Sequence, residues 1–309
     1  ILAPRHALPA GRCAPRCKGE PMKTENMWAT ALVGVTILWG WSFVAIHESL
    51  TTLSATAFNA FRFLVGGVVM LILLARKPRR IRFDELKDGA FAGVALFLAF
   101  TFQTTGIAYT TASNASFITG LAVVFTPLFA LILLKVQPNK QQAFGAVMAA
   151  VGLALLTISN LSVHIGDVLV LGCAVFTALH IVILSKVSKN HDAEVLAFIQ
   201  VMVVGVLSLV WSIATGEFST PHTSQALTTI VVVGIGGTAV GYFVQTKAQV
   251  ESPPSRIALI LVLEPVFGGL FGYLLGGDRL SAINLSGAAL IIVAMVVTEF
   301  KPGMRAVSS

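Results

Sequence analysis

Two charged residues sit where charge is expensive. Glu264 is the only acidic residue deep inside any of the long apolar stretches of this 309-residue chain, and Arg62 is the only cation so placed. Ionisable groups in hydrocarbon are costly and normally face a cavity or a partner. Glu264 therefore has two readings: it titrates, holds a cation or pairs with an amine, or it is a neutral structural acid bonded to polar neighbours or to loosened backbone. Arg62 caps a bound carboxylate, pairs with Glu264, or snorkels outward on its long stem; the structural role is the simpler. Gln103, Gln245, Asn114, Gln200 and His180 add uncharged donors and acceptors in other stretches. Amides bind a zwitterion without presenting full charge, and they also form plain interhelical bonds worth about 0.6 kcal/mol. His180 is more ordinary as a satisfied core histidine than as a proton carrier, the role histidine's pKa of about 6.5 allows. Trp39, beside Gly40, offers an aromatic face. Trp28 and Trp41 suit interfacial anchors, and Tyr109 a belt or gate. The expected lining residues are Trp39, Gln103, Asn114, Gln245 and Glu264; Arg62, Pro127, His180 and Pro265 are expected to couple or gate.

The elements that carry these residues are ten apolar stretches: Trp28–His47, Thr56–Ala75, Gly89–Ala108, Ala112–Leu134, Gln142–Ile158, Asp167–Val187, Val195–Ala214, Leu227–Gln249, Pro254–Gly276 and Ile283–Phe300. Each is about as long as a membrane span and apolar on all faces, not along one stripe. Lipid offers no partner to open backbone groups, so such stretches form helices. A β-barrel needs alternating strands of about ten residues, and none is present. The chain reads as an all-α integral membrane protein with ten transmembrane helices. Its apolar share of 56% and charged share of 11% fit that class, since soluble domains carry about 25% charged residues. Glu264 lies about 11 residues, roughly 16 Å, from one end of its helix, near mid-membrane; Arg62 lies about 6 residues, roughly 9 Å, below the opposite face.

The cations set the orientation. Of the 21 Lys and Arg residues, 19 lie in the N-terminal leader, in or beside alternate gaps, or after the last span. The largest group is Arg76, Lys77, Arg79, Arg80, Arg82 and Lys87. The opposite gaps hold Arg279 alone. By the positive-inside rule both termini and the long basic loop are expected on the cytoplasmic side. The net charge of +7 is accounted for by this topology signal and its attraction for anionic lipid heads, and no nucleic-acid partner is expected.

Residues 1–21 lack an initiator Met and an apolar run of signal-peptide type, and are expected to be a disordered leader or an upstream extension of a chain starting at Met22. Cys13 and Cys17 fall there, and Cys173 falls in the sixth span. Three scattered thiols with no ligand set give no metal site. No cofactor is expected.

A cut near Leu161 leaves five spans on each side. An odd number inverts the second copy across the membrane. The expected units are residues 22–161 and 162–301, two inverted five-helix repeats, with 302–309 as a cytoplasmic tail. Gln103-Thr104 near the end of span three is echoed by Gln245-Thr246 in span eight. Thr126-Pro127-Leu128-Phe129 in span four is echoed by Glu264-Pro265-Val266-Phe267 in span nine. A mid-span proline removes a backbone bond and bends or loosens its helix; paired prolines in register point to a central cavity or a moving element. Small residues in spans five and ten, Gly145, Ala149 and Gly152 against Gly287 and Ala288, suit close helix packing.

Leu38-Trp39-Gly40-Trp41-Ser42-Phe43, Phe61-Arg62-Phe63, Thr111-Ala112-Ser113-Asn114-Ala115 with Val123-Val124-Phe125-Thr126-Pro127-Leu128, and Leu263-Glu264-Pro265-Val266-Phe267 occur in order in spans one, two, four and nine. Together they resemble the EamA-domain family of the drug/metabolite transporter superfamily, from Trp28 to Phe300. The resemblance implies ten helices in two repeats, alternating access around a central cavity, and export of amino acids or other small metabolites. It places Arg62 near a helix end. One departure is Thr177-Ala178-Leu179-His180, which stands where the second repeat would echo the Trp-Gly of span one. No P-loop, His-Glu-x-x-His or Gly-x-Ser-x-Gly is present, so neither ATP-driven pumping nor hydrolase chemistry is indicated. A channel would prefer pore rings in an oligomer. The expected function is a secondary transporter, monomeric or homodimeric, open to coupling by protons; the alternative class is an intramembrane enzyme acting on a lipid-linked or small substrate.

Overall fold

The computed structural model describes residues 21–76, 81–137, 139–157, 164–279 and 281–299. The leader with Cys13 and Cys17, the basic residues Lys77, Arg79 and Arg80, and the tail 302–309 lie outside the described residues. All regular structure among the described residues is helical: α1 Pro21–Ser49, α2 Ala55–Ala75, α3 Phe83–Ile107, α4 Ala112–Thr119, α5 Ala122–Leu134, α6 Lys140–Thr157, α7 Ile165–Val187, α8 Ala193–Ala214, α9 Ser224–Val232, a π-helical segment Val233–Val240, α10 Gly241–Glu251, α11 Pro254–Leu261, α12 Leu263–Leu274 and α13 Ala282–Glu299. Among the described residues, eight helical spans are long and apolar enough to cross a membrane. They correspond to the first four and the sixth to ninth expected spans. The fifth and tenth positions hold α6 and α13, of 18 residues each, which pack on one another. This is an all-α multi-pass membrane protein.

The helix starts follow local chemistry. Ser54 caps α2 by accepting from the Ala57 N–H at 3.2 Å, and Asp192 caps α8 by accepting from the Glu194 N–H at 2.8 Å, each satisfying a donor that the first turn leaves open. The spans carrying the paired prolines are both broken. The first is interrupted between α4 and α5, where Val123 and Val124 bond to Gly120 and Leu121 in the tighter i→i+3 pattern. The second is interrupted at Val262, three residues before Pro265. A proline ring crowds the carbonyl four residues back, Leu261 in this case, so the break at Val262 falls where Pro265 requires it.

The most extensive helix packing joins the two halves: α3 on α7, α6 on α13, α2 on α8, α3 on α8 and α1 on α12. Glycines set the closest crossings. A Cβ on Gly40 would lie 2.5 Å from the Phe267 Cβ and 2.8 Å from the Gly268 nitrogen, and one on Gly66 would lie 2.8 Å from the Gly234 carbonyl oxygen. Backbones meet directly at these points, as in small-residue packing between membrane helices.

Candidate functional site

Between α1, α2, α3, α4, α7, α10, α11 and α12 lies a cavity of about 40 Å³, lined by Trp39, Arg62, Gln103, His180, Gln245 and Glu264 together with Ser42, Phe100, Thr119, Cys173, Thr177, Tyr242 and several aliphatic side chains. Six of the nine residues singled out in the sequence thus meet at one place. Asn114 is not among the lining residues; it is half-buried in the first turn of α4, its N–H donating to the Thr111 hydroxyl at 3.1 Å. Pro127 and Pro265 do not line the cavity either. They belong to the broken spans around it, Pro265 directly beside Glu264.

Each polar wall residue is held by its own partners. Arg62 is buried; its Nε–H donates to the Thr238 hydroxyl at 3.0 Å, and its guanidinium lies over the rings of Phe100 at 4.6 Å and Phe63 at 4.9 Å. Its Nη1 has no hydrogen-bond partner among the described residues. No ion pair joins it to Glu264 among the described residues, although both line the cavity. The Trp39 indole N–H donates to the Gly237 carbonyl at 2.7 Å, so α1 is pinned to the π-helical segment. Gln103 Nε2 lies 3.4 Å from the Thr119 hydroxyl. The His180 ring nitrogen Nε2 donates to Gln200 Oε1 at 2.7 Å, and Gln200 Nε2 donates to the Thr246 hydroxyl at 3.0 Å. Thr246 in turn donates to the Tyr242 carbonyl at 2.7 Å.

The first half contains a matching clamp. Asn59 Nδ2 donates to the Phe100 carbonyl at 3.1 Å, and the Thr104 hydroxyl donates to Asn59 Oδ1 at 2.9 Å. Asn59 thus ties α2 to α3, and Gln200 ties α8 to α10. The sequence reading missed Tyr242, whose ring lies 6.1 Å from that of Phe100 and 5.5 Å from that of Trp39. Its position three residues before Gln245, as Phe100 is three before Gln103, was the available signal.

No group of three or more His, Cys, Asp or Glu side chains fit to hold a metal occurs among the described residues. The cavity offers one carboxyl, one guanidinium, two amides, a histidine and aromatic faces. The hydroxyls of Ser42, Thr119, Thr177 and Tyr242 and the Cys173 thiol complete its polar lining.

A sequence model described as the EamA-like transporter family matches residues 26–158 and again 164–300. The chain is 32% identical over 267 residues to an uncharacterized transporter of Archaeoglobus fulgidus, covering 86% of this chain and 84% of that protein. It is 23% identical over 281 residues to the uncharacterized transporter YvbV of Bacillus subtilis, covering 88% of this chain and 92% of that protein. A solved crystal structure shares the fold with a TM-score of 0.71 at 20% identity, covering 88% of this chain and 96% of that one. Family model, relatives and multi-pass helical fold agree: the chain is a membrane transporter of small molecules and belongs to the EamA-like transporter family.

Proposed function

We propose that this protein is an inner-membrane secondary transporter that exports amino acids or other small metabolites by alternating access around the central cavity. Ten helices cross the membrane as two inverted repeats, residues 22–161 and 162–301, with both termini in the cytoplasm. The observation that carries this reading is the cavity wall, to which both halves contribute: Trp39, Arg62 and Gln103 from the first, His180, Gln245 and Glu264 from the second. At about 40 Å³ the cavity has room for a few waters, at roughly 10–15 Å³ each. Solute pockets run to about 300 Å³ or more, so loading a solute requires the halves to move apart.

The inversion has support in the packing. Helix contacts come in sets that exchange when the halves are swapped: α1 on α12 with α7 on α5, α3 on α7 with α1 on α10, and α3 on α8 with α2 on the π-helical segment. The pairs α2 on α8 and α6 on α13 map onto themselves. The family model's two matched stretches support the same division. Trp39, Gln103, Gln245 and Glu264 bind the solute; Asn114 stands at the start of α4 on its way in. Arg62 and His180 shape the wall, and the breaks near Pro127 and Pro265 let the ends of the broken spans swing. Protons are the proposed coupling ion, taken up by Glu264.

Flux of radiolabelled amino acids into proteoliposomes of purified protein tests the reading. The expected result is uptake of at least one amino acid without chemical change, lowered at least about tenfold in Glu264→Gln, as for loss of a charge-assisted contact of 1.5–3 kcal/mol. Absence of flux for every amino acid would remove that solute class. Unaltered flux and pH dependence in Glu264→Gln would reduce the carboxyl to a structural group.

A further inference from the structure

The polar groups of the cavity continue beyond its wall. Gln245 Nε2 donates to Gln249 Oε1 at 3.2 Å, and Gln249 Nε2 donates to the Ile181 carbonyl at 2.8 Å and to the Ser185 hydroxyl at 2.9 Å. About one turn farther along stand Ser188, at the end of α7, and Ser252, at the end of α10. Positions three or four apart share a helix face, so Gln245, Gln249 and Ser252 form a file opposite Ser185 and Ser188. The file starts in the cavity and ends on the basic face, among Lys186, Lys189 and Arg256.

Its last two members are diagnostic. The Ser188 and Ser252 hydroxyls are buried and have no hydrogen-bond partner among the described residues. An unsatisfied buried hydroxyl costs about 1–3 kcal/mol, and native proteins meet that need with bound water. The corresponding position of the other half is apolar. Four residues beyond Gln103 stands Ile107, fully buried in an apolar cluster, where α10 has Gln249 four beyond Gln245.

We propose that the seam between α7 and α10 is a water-lined proton inlet from the basic face to Glu264. None of its five side chains is more than 4% exposed, and its hydrogen bonds bridge the two helices directly, so the seam admits water and protons and no solute. The serine hydroxyls accept one proton as they pass on another; the glutamine amides give up no proton, and their direct bonds part to let water carry it past them to the cavity. The proton comes from bulk water and ends on a carboxylate oxygen of Glu264. The other charged or titratable groups of the cavity are Arg62 of α2, Cys173 and His180 of α7 and Tyr242 of α10; α1, α3, α4 and α11 line it with no ionisable side chain. One-sided access of this kind would make protonation of the cavity depend on the pH of a single compartment.

This inference rests on Glu264 as a cavity carboxyl. Its test contains no solute, so the inlet can fail while transport stands. Proteoliposomes are held at about pH 4, near the ordinary glutamate pKa of about 4.3, and transferred to D2O. Infrared spectroscopy follows the Glu264 carboxyl band, identified by its loss in Glu264→Gln. The expected result is rapid exchange in the wild type, slowed at least about tenfold in Gln249→Leu, the rate equivalent of one lost buried hydrogen bond, and not slowed in Ile107→Ala. If Gln249→Leu does not elute as a folded protein, the double variant Ser188→Ala/Ser252→Ala removes only the unpartnered hydroxyls and is expected to slow exchange at least threefold, roughly. A wild-type band that does not exchange, or equal rates in wild type and the folded variant, would overturn the inlet.

Discussion

Gln200 is fully buried and makes one bond to His180 and another to Thr246. Replacing it with Leu keeps the volume and leaves the His180 N–H without its acceptor, a loss of about 1–3 kcal/mol. Asn59→Leu does the same to the Thr104 hydroxyl in the other half. Both variants are expected to lower the thermal midpoint in detergent. Because the two clamps share no partner, the double variant is expected to lose the sum of the two, within about 0.5 kcal/mol; a shortfall larger than that would mean the clamps are coupled through the cavity. At this scale Glu264 and Arg62 were legible from residue type alone, since charge inside an apolar run needs a reason. Gln200 and Asn59 were less so. Amides are common bonding groups between membrane helices, and nothing in the composition says which pair will clamp.

The spans with mid-helix prolines were expected to bend, and both are interrupted. The π-helical segment was not foreseen. Gln245 stands one residue farther from its N-cap, Thr223, than Gln103 stands from Arg82, the N-cap of α3. A π-bulge absorbs one extra residue in a helix, and here it delivers Gln245 to the same cavity as Gln103. Helix crossings give the sharpest prediction for elements. Gly40→Val puts a side chain against the Phe267 and Gly268 backbone, which has no rotamer to yield, and is expected to abolish monodisperse elution. Gly34→Val on the same helix meets nothing within 4 Å of its Cβ, so it is expected to elute as wild type. If the two variants elute alike, the α1–α12 crossing is looser than the backbone distances require.

For the whole molecule, the decisive quantity is which side each end occupies. Single cysteines in the tail and in the basic segment Arg76–Lys87, in a background with Cys13, Cys17 and Cys173 replaced by Ala, are expected to react with a membrane-impermeant thiol reagent only from the cytoplasmic side. A cysteine at Arg279 is expected to react only from the other. Labelling of the tail and Arg279 from one side would break the inverted-repeat topology. The charge asymmetry behind this expectation, 19 cations against one, survives any shift of a few residues in the span boundaries.

The amino-acid sequence by itself determined the class of molecule, because lipid forces long apolar stretches into helices. It also marked the echoed Gln-Thr and proline segments of the two halves, and six residues of the cavity wall. Only the tertiary structure decided which polar residues face inward: it brought Arg62, Gln103, His180, Gln245 and Glu264 together, left Asn114 aside and added Tyr242. A helix apolar on all faces carries no stripe that marks its buried side, because lipid tails and protein interior are equally apolar. Facing is then settled by packing, where Gly40 meets Gly268, Gly66 meets Gly234 and Trp39 reaches across to Gly237.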